Sequence, residues 1–264
     1  MWDVSAFVGA WPFRRLADAR SPGTLEARLR RWGVTRGAFV SPLDALFAAD
    51  PMPANAAWAE RLAGPAFFRL VPVLNPALPG WERALEEGVP ALPGGAAIRA
   101  VRLLPGYQGC APDAEAARDL TRRAGAAGLA VIVQAQMQDA RGAHPLARVP
   151  DADPRAILTL ARACPETTVV AAGVRWGAAN ALAREAAEGG DGTPRLFIET
   201  SHLEYVDPIR RFLDEFGAAR LLAGSHAPIL TPAALRMKLD AARLTPEERD
   251  AITDGNLKKA GLLL

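Results

Sequence analysis

Short apolar stretches alternate along the whole chain with longer segments in which apolar residues recur every three or four positions. Eight of the short stretches read as strands: Val4–Val8, Arg36–Val40, Phe68–Leu74, Ile98–Leu103, Ala130–Gln136, Thr168–Ala172, Arg195–Thr200 and Arg220–Gly224. Most are almost continuously apolar, which suits strands covered by helices outside and by packed side chains inside. The segments between them carry helix start and stop signals. Asp207-Pro208, Asp153-Pro154 and Thr231-Pro232 each put a capping residue before a first-turn proline. Ile209, Phe212, Leu213 and Phe216 form one buried face, and Gly217 supplies a left-handed stop. Leu25, Leu29 and Trp32 make another one-sided helix closed by Gly33, and Thr245-Pro246-Glu247-Glu248 reads as a capping box.

Eight strand-then-helix units in 264 residues predict a single (β/α)8 TIM barrel spanning residues 1–264. The rival, a doubly wound open sheet, lacks its glycine-rich turn after the first strand. Residues 41–57 form a long excursion after strand two, read as a connecting loop with a short helix in preference to a lid.

Composition narrows the function. Half of the residues are hydrophobic, and 31 basic residues stand against 29 acidic ones with no run of like charge. Nucleic acid and membrane surfaces are therefore not expected partners. Two distant cysteines, Cys110 and Cys164, build neither a disulfide framework nor a zinc knuckle. The N-terminus carries Asp3 and no basic leader, and no apolar run approaches a spanning length. A cytoplasmic protein is expected, with its oligomeric state left open.

A barrel builds its site where the strands end at their C-terminal edge. Polar residues at those exits are Asp3 and Ser5 on strand one, Asn75 on strand three and Arg102 on strand four. Strand five leads through Gln134, Gln136 and Gln138 to Asp139, Arg141 and His144. Strand six ends at Arg175 and Trp176, strand seven at Glu199 and His202, and strand eight at Ser225 and His226. All three histidines of the chain fall at these exits. His226, Glu199 and His202 are the catalytic candidates. Arg102, Asp139, Arg141, His144, Arg175 and Trp176 are candidates for holding a small anionic substrate, the arginines by their planar fork. Glu199 lies inside an apolar strand, where burial raises a carboxyl pKa and suits a base.

Several stretches resemble the family-two (amidohydrolase-related) branch of the amidohydrolase superfamily. "DVSAFVGAWPFR" is similar to its opening D-x-H-x-H strand, "FFRLVPVLNP" to its third strand and "IRAVRLLPGYQG" to its fourth. "LLAGSHAP" resembles the G-S-D-x-P of its eighth strand, and "ITDGNLKKAGLL" its closing helix. The resemblance implies a TIM-barrel hydrolase or decarboxylase with a divalent metal on histidines of strands one, five and six and the aspartate of strand eight. Here Ser5 and Phe7 stand for the first histidine pair, Gln134 or Gln136 for the strand-five ligand, alanine or glycine for the strand-six ligand, and His226 for the aspartate. Phenylalanine ligates nothing and a neutral amide is a poor zinc ligand, so no metal or other cofactor is expected there.

Three functions follow. The first is a metal-independent hydrolase of a small carboxylated substrate, suited to a lactone or ester since without a metal no Lewis acid activates water, with His226, ahead of Glu199, as the base and Arg102, Arg141 and Arg175 as anion grips. The second is a non-catalytic barrel that keeps a ligand pocket. The third is a metal site relocated to His202, His226 and Asp139 or Glu199. His202 and His226 leave neighbouring strands and are expected to approach each other. Strand alternation alone puts Glu199 on the opposite face from His202, so only a turn near Ser201 brings both into one site.

Overall fold

The computed structural model describes residues 1–12, 14–64, 66–188 and 194–263. Its strands are β1 (Trp2–Val8), β2 (Gly37–Pro42), β3 (Phe68–Leu70), β4 (Ala100–Leu103), β5 (Ala130–Gln134), β6 (Val169–Ala172), β7 (Leu196–Glu199) and β8 (Leu221–Leu222). Neighbours pair in parallel and in chain order, β1 to β3 in one run and β4 to β8 in another. Two sets of backbone bonds join the runs. Leu74 N–H donates to Arg102 O at 3.1 Å and Arg102 N–H to Pro72 O at 2.8 Å. At the other seam Val4 N–H donates to Ala223 O at 2.9 Å, and His226 N–H to Ser5 O at 2.7 Å. The ring of eight parallel strands is the TIM barrel expected from the alternating pattern.

β3 and β8 are shorter than their apolar runs. Pro72 has no N–H to donate, so the β3 ladder breaks there. Past β8, Gly224 N–H goes to Thr200 Oγ1 at 3.1 Å and Ser225 N–H to Asp3 Oδ1 at 3.0 Å, so side chains take donors that a longer strand would spend on its neighbour.

Helices follow the strands where their caps place them. The Thr245 capping box makes both of its bonds, and the Asp153 side chain accepts from Arg155 N–H at 2.9 Å. Asp207 and Thr231 precede helices Pro208–Phe216 and Pro232–Ala241, but neither side chain caps. Asp207 adopts a left-handed φ of 50° in place of the extended backbone usual for a capping residue. The 41–57 excursion contains a short turn, Leu43–Ala45, and runs into the helix Met52–Leu62. No described helix is long and apolar enough to cross a membrane.

Side-chain phase is what positions the site. Trp2, Val4, Phe39, Val71, Ala100, Ile132, Val170, Phe197 and Leu222 fill the barrel interior in one cluster. Ala6 and Val8 of the same β1 instead pack in the outer layer under the helices. A register shift between Asp3 and Ala6 causes the switch. The extra residue inverts the alternation, so Ser5 and Phe7, as well as Val4, point inward.

Candidate functional site

The same two-residue period that puts Ala100, Ile132 and Phe197 in the apolar interior puts Arg102, Gln134 and Glu199 one layer above it. All three are buried, with Ser5, Ser201, His202, Ser225 and His226 around them. Arg102 is the centre. Its guanidinium donates to Ser5 Oγ at 3.3 Å and to Gln134 Oε1, and lies 4.6 Å from the Phe7 ring centroid. Burial lowers its pKa to about 10, against the opposing pull of Glu199 and Asp3. It stays a cation at neutral pH.

Two carboxyls balance it. Asp3 accepts from Ser225 Oγ at 2.5 Å, and from the N–H groups of Ser5 and Ser225 at 3.0 Å each. Burial raises its pKa to about 7 despite these donors. Glu199 accepts from Ser201 N–H at 2.5 Å, Ser201 Oγ–H at 2.7 Å and Gly173 N–H at 3.3 Å, and burial raises its pKa too. Gly224 gives the carboxylate room, since a Cβ there would collide with Glu199.

The turn at Ser201 does what strand alternation alone could not. Ser201 Oγ touches Glu199 on one side and lies 2.8 Å from His202 Nδ1 on the other. With Glu199 ionised, the Ser201 proton points at the carboxylate and Nδ1–H donates to Ser201 Oγ, which leaves the Nε2 lone pair of His202 free. Burial, with Lys238 and Arg175 nearby, lowers the His202 pKa to about 4. The His202 and His226 rings meet edge to face at 4.8 Å, as their neighbouring strands require.

His226 is more constrained. It is completely buried and adopts a φ of 57°, its ring packs against Phe7 at 4.8 Å, and its Nε2 lies 2.7 Å from Met137 O. That contact fixes the proton on Nε2 and leaves Nδ1 buried without a partner. Burial, the His202 ring and Arg102 hold its pKa well below the ordinary value. Phe7, Trp11, Leu43, Leu104, Met137 and Ile229 form an apolar plug over this layer.

The remaining candidates lie outside the plug. Asp139 and Arg141 form an exposed ion pair at 2.7 Å, and Arg141 is 91% exposed. His144 is also exposed, and its Nδ1 accepts from Leu146 N–H at 3.2 Å. Arg175 Nε donates to Gln136 Oε1 at 3.0 Å, and Gln136 in turn donates to Asp151. Trp176 stacks flat on Tyr205, with ring centroids 5.4 Å apart. The structure therefore separates Arg102 from Arg141 and Arg175, which the exits alone group together. Arg102 faces the barrel core, its Nη atoms donating to Ser5 and Gln134 and its Nε buried without a partner.

Lys238 was not singled out from sequence. Its ammonium donates to Thr200 O at 2.6 Å and Ser201 O at 2.7 Å, pinning the turn that carries His202. Burial lowers its pKa to about 8. The available signal was its place on the Leu235–Leu239 face of its helix, where a lysine needs an internal partner.

Similar folds are found among solved structures. A 2,6-dihydroxybenzoate decarboxylase from Rhizobium superposes with a TM-score of 0.71 at 12% identity, covering 98% of each chain. A zinc-bound amidohydrolase from Burkholderia multivorans gives 0.67 at 15% identity over 100% of both chains. An uncharacterised TIM-barrel protein from Bordetella bronchiseptica gives 0.68 at 17% identity over 98% of each. No family model and no curated protein matches the sequence. At these identities the likeness carries the TIM-barrel fold alone, with no residue role.

The divalent metal of that resemblance does not fit the side chains present. Ser5 and Gln134, at two of the ligand places, bind the Arg102 guanidinium, and Phe7 packs on it. At the strand-six exit, Gly173 has a φ of 68°, and a Cβ there would strike Gln136 O and Gln134 Nε2. No side chain enters that place while Gln134 fills it. Among the described residues no three His, Cys, Asp or Glu side chains gather as a metal group.

Proposed function

We propose that this barrel hydrolyses a small carboxylated ester or lactone without a divalent metal, with His202 as the general base. The observation that carries the reading is the hydrogen-bonded chain from Glu199 through Ser201 Oγ to His202 Nδ1. It orients an imidazole that stays neutral above about pH 4 and presents its Nε2 lone pair. Water adds to the carbonyl carbon as Nε2 takes its proton. The leaving alkoxide then recovers that proton, giving an alcohol and a carboxylic acid, which loses its own proton to solvent and departs as the carboxylate. With no Lewis acid, an activated ester or lactone is a more suitable substrate than an amide. His226, with Nε2 held by Met137 O, acts as a positioning residue against the His202 ring.

The test is a screen of aryl esters and small lactones with purified protein, before and after chelation. Activity that resists chelation and falls at least a hundredfold in His202→Ala supports the reading. Activity lost on chelation, or unchanged in that variant, overturns it.

A second reading, a barrel that binds a ligand without turning it over, draws on the plug. His226 is fully buried beneath Phe7 and Met137. The relocated metal site has less support. Asp139 is paired with Arg141 outside the plug, and Glu199 reaches His202 only through Ser201.

A further inference from the structure

The N-terminal ends of the parallel strands form the barrel face opposite the exits that carry His202 and His226. Trp2 opens β1, Arg36 and Arg99 immediately precede β2 and β4, and Arg69 lies within the short β3. These four line one cleft of about 290 Å³, together with Lys258 and Leu262 of the closing segment. Leu257, Ala260 and Leu262 pack into the same apolar cluster as Trp2, so the closing segment seals the barrel at this end.

Trp2 is held as a wall of the cleft. Its indole lies against Gly37, where a Cβ would come within 2.2 Å of the ring, and it meets the Phe39 ring at 5.8 Å. Trp2 is buried, and its Nε1–H has no partner among the described residues. A buried indole N–H usually finds an acceptor.

The charge around this wall is unbalanced. Arg36 and Lys258 share one carboxylate: Asp254 pairs with Arg36 Nη1 at 2.5 Å and with Lys258 Nζ at 2.7 Å, using both of its oxygens. Arg99 Nη1 donates to Ala96 O at 2.8 Å and Ile98 O at 2.9 Å, which carry no charge. Arg69 is half-buried, and among the described residues its guanidinium makes no hydrogen bond or ion pair. Other arginines at the same end are engaged. Arg195 donates to Thr168 Oγ1, and Arg220 to the carbonyls of Pro194 and Leu196.

This end of a barrel ordinarily serves stability, and a stabilising arginine is one with a partner. Arg69 has none, yet it faces a concavity where like charges converge, and such a cleft concentrates anions. Among the described residues, four lining cations stand against the one carboxylate that pairs with them. A dianion matches that surplus better than a single carboxylate does. Tetrahedral oxygens accept from guanidinium forks and from an ammonium alike.

We infer that this cleft binds a phosphate-type oxyanion, with Arg69 as its main contact and Arg36, Arg99 and Lys258 supplying the surrounding charge. The site lies at the opposite end of the barrel from His202 and does not depend on the hydrolytic reading.

Calorimetric titration of the full chain with inorganic phosphate, at a slightly alkaline pH where the dianion prevails, tests it. Phosphate should bind, and acetate should bind at least tenfold more weakly. Phosphate should also raise the thermal midpoint, whereas sodium chloride of equal ionic strength should not. Arg69→Ala should lose at least tenfold in phosphate affinity while its ligand-free midpoint stays at the wild-type value, since it gives up no protein partner. Arg69→Gln, which keeps most of the stem, makes the same measurement if the alanine variant does not fold. Arg15→Ala, beyond the β1 exit on the other face, should bind phosphate as the wild type does. No binding by the wild type, undiminished binding by the Arg69 variants, or an equal loss in Arg15→Ala overturns the site. A chloride response equal to that of phosphate shows charge screening alone and overturns it too. None of these outcomes bears on the esterase screen, and no result of that screen bears on them.

Discussion

Arg102 and Arg141 look alike in the sequence, each at a strand exit and each a candidate grip for an anion, yet the structure treats them as opposites. Arg102 is fully buried, its charge surrounded by Ser5 Oγ, Gln134 Oε1, the Phe7 face and two nearby carboxyls. Arg141 is 91% exposed and closes a two-residue loop onto Asp139, whose carboxyl it holds below the usual range. A buried cation costs several kcal/mol of desolvation that only its neighbours offset, so every neighbour becomes part of its support. An exposed pair is screened by water and almost independent of its surroundings. Two arginines read from neighbouring strand exits, one inside β4 and one in the loop beyond β5, thus do unequal work. The inner one organises the barrel top, and the outer one organises a loop.

The largest effect expected from this contrast is at Arg102. Arg102→Ala strips the compensation from buried Asp3 and Glu199 and leaves Ser5 and Gln134 without their donor. Unfolding in urea should show a loss of about 3–5 kcal/mol. Arg102→Met, which restores volume without charge, should recover part of it. If Arg102→Ala unfolds at the wild-type midpoint, the inner layer is not held by this cation.

Next is Gly173, whose left-handed backbone allows Gln134 to fill the strand-six place. Gly173→Ala adds a Cβ against the backbone oxygen of Gln136. It should cost about 2–4 kcal/mol from the φ penalty and overpacking together. A variant of unchanged stability would show that the place above Gly173 is not filled.

The titrating groups of the inner layer pull in opposite directions. His202 is lowered to about 4, so between pH 6.5 and 4 the unfolded chain binds its proton first and acid erodes stability. Asp3 is raised to about 7, so between about 4 and 7 the folded chain holds the proton and rising pH erodes stability. Each contributes roughly 1.4 kcal/mol per pH unit inside its window. Relative to wild type, Asp3→Asn should gain stability as pH rises from 4 to 7, and His202→Asn should gain as pH falls from 6.5 to 4. Urea midpoints measured across that range should give difference slopes of opposite sign. Slopes of the same sign would break the assignment.

The smallest effect closes the comparison. Arg141→Ala should leave the urea midpoint unresolved from wild type, since the exposed pair with Asp139 is screened by solvent. A shift approaching that of Arg102→Ala would erase the distinction between the two arginines.

Much of the architecture was legible in the order of residues. Alternating apolar runs and amphipathic segments have only a few ways to bury both faces, and prolines and capping residues mark where helices begin. The same two-residue period, continued past Ala100, Ile132 and Phe197, points Arg102, Gln134 and Glu199 inward. The nearness of His202 and His226 followed from neighbouring strands. Those statements depend on local period and chain order, which a sequence contains.

What only the tertiary structure decided is which exits share a layer and which lie beyond the plug. The extra residue in β1 turns Ser5 and Phe7 inward, and nothing in "DVSAFVG" marks it, because a bulge arises from how β1 registers on β2. The bond from Ser201 to both Glu199 and His202 depends on a turn held by Lys238 from a helix far along the chain. The separation of Arg102 from Arg141 depends on loop residues packing over one and not the other. Burial is a property of the whole fold, and it is burial that makes one of these arginines the central cation and leaves the other in a surface pair.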